Sequence, residues 1–209
     1  MGNSLLLTSF QTWLPHQPSN SSDDLLLELL RHRTTSPSLH VARQLPVDFQ
    51  QAPLRAIALV NRLRPDVMIC CGMSEQRSQL NLESRAIAHH ETLMTPFNLD
   101  ELTAGLPHTT ISDDAGRFVC NYLYYSLLRY VQDQQLSTRC LFVHVPVLTD
   151  ENRSLILNDF QKVMHRVGHG LSVVESSVVD FASESGYLQS LDSLPKRRHV
   201  NVTLDSHAS

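Results

Sequence analysis

Residues 67–71, Val-Met-Ile-Cys-Cys, are apolar at every position. The run is too short for a buried helix and has no polar alternation, so it reads as a strand covered on both faces, the pattern of a parallel sheet. Such a strand needs a helical layer above it and another below. The rest of the chain supplies them. Strands are expected over 5–8, 39–45, 67–71, 108–111 and 140–145, with helices between them. One helix covers the apolar run 25–30, with Ser22 as its N-cap and Asp23 and Asp24 in its first turn. A second spans 53–63, where Leu54, Ile57, Ala58 and Leu59 follow helical spacing. A short third covers 98–104. A fourth starts at Arg117 and puts Cys120, Leu123, Tyr124, Leu127, Leu128 and Val131 on one broad face. The last spans 151–167 with Thr149 or Asp150 as cap. The stretch 79–88 reads as a hairpin-like extension outside the main sheet. Alternating strands and helices predict one α/β domain, a three-layer α/β/α sandwich with a mostly parallel twisted sheet, over residues 1–194. Residues 195–209 carry little apolar content and read as a disordered tail.

Composition narrows the function classes. The formal net charge of −4 and the absence of a basic stripe argue against a nucleic-acid partner, and Lys196-Arg197-Arg198 reads as a solvated charge run. No stretch is long and apolar enough to span a membrane, and the opening residues lack the basic flank of a secretory leader. Cys70, Cys71, Cys120 and Cys140 fall in expected strands or at a helix start, so they read as reduced thiols of a cytoplasmic protein. His89-His90 and His165/His169 lack the spacing or acidic partner of a metal motif. No metal and no other cofactor is expected.

Chemistry is expected where the strands end, at the C-terminal edge of the sheet. Cys120 falls about one turn into the fourth helix. Unpaired backbone N–H groups and the helix dipole favour a negative sulfur there and can receive an oxyanion. His144 ends the next buried strand, from which a crossover fold returns the chain beside that helix start. It is placed to act as base and then as acid.

The segment Ala115-Gly116-Arg117-Phe118-Val119-Cys120-Asn121 resembles the nucleophile motif of the pyroglutamyl peptidase I family, Ala-Gly-x-Phe-Val-Cys-Asn. Phe142-Val143-His144-Val145-Pro146 resembles its histidine motif. Upstream, Thr8-Ser9-Phe10-Gln11-Thr12-Trp13 and Gln17-Pro18-Ser19 are similar to its N-terminal strand and loop. The stretch from Gly72 through Arg77 to Glu83 resembles the segment leading to its catalytic glutamate. The resemblance, over about residues 5–168, implies a phosphorylase/hydrolase-like sandwich and a cysteine exopeptidase that removes an N-terminal pyroglutamyl residue through a thioester acyl-enzyme. Cys120, His144 and Glu83 would be its triad, with Glu83 orienting His144. Phe10 and Trp13 would flank the lactam ring, and Phe118 and Val119 would present backbone groups to its polar edge. The implied partner is a peptide with a blocked N-terminus, and a homo-oligomer is compatible with the family.

Departures from the family pattern cluster near that site. Leu14 and Pro15 stand where the family has glycines, and Met73 replaces a glutamine. Ala88 and Leu93 align with an asparagine and an arginine, which places Leu93 in the groove without the expected positive charge. The chain between Glu83 and Cys120 is also shorter. These departures keep an alternative open: a catalytically weak or inactive relative that binds peptides or serves in an assembly.

Overall fold

The computed structural model describes residues 4–31, 39–168 and 177–180. Seven strands form one sheet. In chain order they are β1 (Leu5–Phe10), β2 (Leu39–Leu45), β3 (Val67–Met73), β4 (Leu80–Glu83), β7 (Thr109–Ser112), β8 (Arg139–Val145) and β9 (Ser177–Asp180). Their spatial order is β7-β4-β8-β3-β1-β2-β9. Every pairing is parallel except β4 with β8. A separate two-stranded hairpin joins β5 (Arg85–Ala88) to β6 (Glu91–Met94).

Among the described residues, five helices cover the sheet: α1 (Ser21–Arg31), α2 (Gln51–Leu63), α3 (Leu99–Thr103), α4 (Val119–Asp133) and α5 (Arg153–Val167). The two-faced burial anticipated for residues 67–71 is realised. Val67, Ile69 and Cys71 face a core built with α1, α3 and α5, while Met68 and Cys70 face a second core built with α2 and α4. β8 divides the same way, with Leu141, Val143 and Val145 on the first face and Cys140 and Phe142 on the second. Successive side chains of a strand point to opposite faces. This parity decides what can meet: Gly72, His144 and Glu83 all fall on the α4 side of the sheet.

Several local expectations are corrected. The stretch 79–88 does not lie wholly outside the main sheet. Leu80–Glu83 enters it between β7 and β8, because Leu80 and Leu82 are apolar enough to join the first core, and only Arg85–Ala88 forms the outer hairpin. The entry to α1 is capped by Asn20 rather than Ser22. Its side chain accepts from the Ser22 N–H, and its carbonyl accepts from the N–H groups of Asp23 and Asp24. For α5 the cap position falls to Asn152, which is tied back by its side chain to the Thr149 N–H at 2.8 Å. The sequence reading assigned no strand at 177–180, yet β9 pairs with β2 at the sheet edge. The expected tail at 195–209, its basic triplet and the C-terminal limit of the domain lie outside the described residues. Among the described residues no helix is long and apolar enough to cross a membrane.

Candidate active site

The antiparallel β4–β8 pair builds the charged half of the site. Its register sets Asn81 opposite His144, so Glu83, two residues on, projects from the same face diagonally beside the histidine. The Glu83 side chain is wholly buried, and its Oε1 lies 2.7 Å from His144 Nδ1. A carboxylate oxygen only accepts, so Nδ1 carries the proton of this bond and Nε2 keeps its lone pair. Arg77 holds the same carboxylate in a weaker contact, with Nη2 at 3.9 Å from Oε1. It also donates to Ser112 Oγ at 3.2 Å and to the Asp114 carbonyl at 2.9 Å. One guanidinium therefore links the buried carboxylate to the loop that leads into α4. Two further bonds fix that loop: Ser84 Oγ lies 2.5 Å from Asp113 Oδ1, and Arg85 Nε donates to the Asp113 carbonyl at 2.8 Å.

Cys120 is the second residue of α4, not one turn inside it, and Phe118 occupies the N-cap with extended backbone. The first N–H of this helix turn to find an intrahelical acceptor belongs to Tyr122, bonded to the Phe118 carbonyl at 3.1 Å. The N–H groups just before it therefore lack helical partners, as at any helix start. Asn121 locks this turn against the outer hairpin. Its amide accepts from the Ile87 N–H at 2.9 Å and donates to the Ile87 carbonyl at 2.7 Å.

Gly72 brings the two halves together. It lies directly across β3–β8 from His144, and a Cβ placed on it would sit 2.7 Å from Cys120 Sγ and 2.9 Å from Phe142 Cζ. The sulfur thus occupies the space that a side chain at residue 72 would need, beside the histidine. We expect Gly72→Ala to displace either the sulfur or the fully buried Phe142 ring, an overpacking cost of about 1–3 kcal/mol. The expected outcome is a fall in kcat/KM of roughly 10- to 100-fold from the misplaced sulfur, with a drop in Tm of about 2–10 °C. Unchanged kinetics would mean that the sulfur position is not critical.

The thiol is not held as a thiolate by the helix start alone. Burial pushes the Cys120 thiol up to about 12, and the neighbouring Cys70 and the Glu83 carboxylate add to the rise, against a small opposing effect from its own backbone N–H. The dipole argument from sequence omitted these terms because they depend on which groups the sheet brings beneath the helix. Cys70, Cys71 and Cys140 are free and fully buried, with their thiols also pushed up by burial, and they read as core packing.

Cys120 and His144 line one cleft of about 460 Å³ together with Phe10, Trp13, Phe118 and Val119, so all four residues expected to bind substrate border it. Phe10 is also a core residue at 2% exposure, whereas the Trp13 ring stacks on Phe118 with centroids 4.7 Å apart. Met73 lines the cleft as anticipated, and its sulfur accepts from the Ser21 N–H at 3.3 Å. Leu93 does not. It borders a different hollow with Leu128, Val131 and Leu136, because β6 pairs outside the main sheet and folds under α4. Ala88 lies on the same hairpin, packed against the second core. The sequence-based placement of Leu93 in the groove is therefore overturned. Lining residues that sequence reading missed are Asn20, Val47, Ser74, Glu75, Gln76 and Arg117. Arg117 occupies the variable position of the nucleophile motif and could have been marked from it.

Comparison with known proteins places this geometry. The profile of the family described as pyroglutamyl peptidase matches residues 88–158, which include Cys120 and His144 but not Glu83. A pyrrolidone-carboxylate peptidase of Brevibacillus brevis is 26% identical over 136 residues, 52% of this chain and 63% of its own length. That of Cupriavidus necator is 29% identical over 175 residues, 70% of this chain and 80% of its own length. The match thus spans less than two thirds of the Brevibacillus relative. Among solved structures, pyroglutamyl peptidase I of Bacillus amyloliquefaciens superposes with TM-score 0.68 at 21% identity, covering 85% of this chain and 98% of that one. The pyrrolidone carboxyl peptidase of Thermococcus litoralis gives 0.64 at 16%, covering 83% and 98%. These structures share the sandwich fold.

Proposed function

We propose that this chain is a divergent member of the pyroglutamyl peptidase family and a cysteine exopeptidase releasing an N-terminal pyroglutamyl residue from peptides. One observation carries the reading: a wholly buried glutamate bonded at 2.7 Å to a histidine that lies beside the start of the cysteine-bearing helix. A buried carboxylate costs several kcal/mol to desolvate, so a fold that only packed or bound peptides would gain little by keeping one there. Cys120, His144 and Glu83 act as nucleophile, acid–base and orienting group.

In the reaction, His144 Nε2 takes the Cys120 proton as the sulfur attacks the lactam residue's carbonyl carbon. The free N–H groups at the start of α4 receive the oxyanion. His144 then returns the proton to the departing amine as the C–N bond breaks, leaving a thioester that water hydrolyses by the same acid–base route. Met73 offers no amide to the lactam, and the amides of Asn20 and Gln17 are engaged within the protein. Recognition of the lactam edge falls to the backbone at Phe118 and Val119. Losing one side-chain hydrogen bond of about 0.5–1.5 kcal/mol weakens the site by no more than about tenfold.

Release of a fluorophore from pyroglutamyl, alanyl and prolyl amides tests this reading. The pyroglutamyl amide is expected to be cleaved at least about tenfold faster than either competitor, since both carry a charged amine against aromatic walls, and Glu75, the carboxylate lining the cleft, is already engaged by His16 and Gln17. Equal cleavage of all three would remove the assigned specificity. No cleavage of any would favour a peptide-binding relative.

A further inference from the structure

Aromatic rings continue past the cleft. Phe118 lines it, and its ring meets Phe49, which is not among the lining residues, edge-on with centroids 5.4 Å apart. Phe49 meets Tyr122 at 5.6 Å, and Tyr122 meets His89 at 6.2 Å. Trp13, Phe49 and Phe118 are 50%, 44% and 41% exposed. Large rings in mutual contact and this open to water form an apolar patch of the kind that marks a binding surface. Its local origin is clear. Phe49 stands just ahead of α2, where Asp48 accepts from the N–H groups of Gln50 and Gln51 and fixes the turn. Tyr122 stands one turn after Phe118 on α4, so the two rings share a helix face.

Resting on the peptidase reading, we propose that Phe118, Phe49 and Tyr122 form a shelf for the substrate chain beyond the scissile bond, selecting apolar or aromatic side chains at alternate positions. An exopeptidase of this kind holds one residue inside the cleft, so the remainder of the peptide must leave across its mouth. The shelf begins at Phe118, a wall of that mouth and the N-cap of the nucleophile helix. Continuity with the cleft favours the substrate over a second copy of the chain.

Trp13 is the only tryptophan of the chain and stacks on Phe118, so its fluorescence reports occupancy without turnover. The experiment titrates the Cys120→Ser protein, alone and combined with Phe49→Ser, with two pyroglutamyl pentapeptides. One carries phenylalanine at the second and fourth residues, and the other carries serine there. The phenylalanine peptide is expected to bind on the order of tenfold more tightly, and Phe49→Ser is expected to erase that difference, while Phe49→Tyr retains it. Phe49 is half exposed, so these variants fold. Equal affinity of the two peptides overturns the shelf. So does a chain that elutes as a dimer and becomes monomeric with Phe49→Ser without any peptide preference, which would assign the patch to a subunit contact. Hydrolysis of the pyroglutamyl amide by the unsubstituted protein is read separately. If it is absent while the peptide preference persists, the peptidase reading fails and the shelf stands.

Discussion

Cys120→Ser is expected to lower kcat/KM for a pyroglutamyl amide by at least about 10³-fold, because nucleophile substitutions in enzymes of this logic remove nearly all catalysis above binding and oxyanion stabilisation. The geometry makes the effect large. With the thiol pushed up to about 12, sulfur is neutral at rest near neutral pH, and in the proposed mechanism attack depends on proton transfer to His144 in the same step. A serine hydroxyl is harder still to deprotonate and is a weaker nucleophile, while the single histidine behind it stays the same. The replacement changes little volume at a position that is only half buried, so Tm should move by a few degrees at most. A variant that keeps a tenth of the starting rate would show that the sulfur takes no part in bond formation. A large fall in Tm would instead assign Cys120 to packing against Gly72 and Phe142.

Much of the fold was legible because burial on two faces leaves a trace in sequence. Val67–Cys71 has no polar residue, and that alone demanded helices on both sides. The helix start at Cys120 and the strand end at His144 could be placed from apolar spacing and from the loops that interrupt it. What sequence did not reveal depends on strand order. Leu80–Glu83 enters the sheet between two strands that come later in the chain, parallel to one and antiparallel to the other, and no periodicity encodes such an insertion. Gly72 reads as an unremarkable strand-end residue until the register puts it across from His144 and beneath the Cys120 sulfur. The same ignorance of pairing misplaced Leu93: alignment carried it to the groove, while the hairpin with Arg85–Ala88 turned it under α4. Capping was missed by two or three positions for a related reason. Several residues of the loop before α1 could cap, and the choice among Asn20, Ser21 and Ser22 rests on where the loop leaves the cleft.

Glu83→Gln is expected to cost about 10⁴-fold in kcat, the loss seen when the orienting carboxylate of a catalytic triad is made an amide. Glu83 Oε1 now accepts from His144 Nδ1 at 2.7 Å and so keeps Nε2 free to take the thiol proton. A glutamine can turn its NH₂ toward Nδ1, which forces the proton onto Nε2 and leaves no base facing the sulfur. The imidazolium formed during attack also loses its counter-charge in a site where Glu83 is wholly buried, so the penalty falls on the transition state and KM should change little. Stability should respond in the opposite sense to activity. Among the described residues Glu83 Oε2 has no hydrogen-bond partner, and the Arg77 guanidinium stands 3.9 Å from the other oxygen. Exchanging that poorly compensated carboxylate for a neutral amide relieves desolvation, so Tm should hold or rise. Kinetics and thermal unfolding of the same preparation therefore separate the roles. A fall in kcat with a steady Tm marks Glu83 as a positioning group for His144. A variant within fivefold of the starting kcat would show that His144 is held in place by its packing against Phe142 and needs no carboxylate.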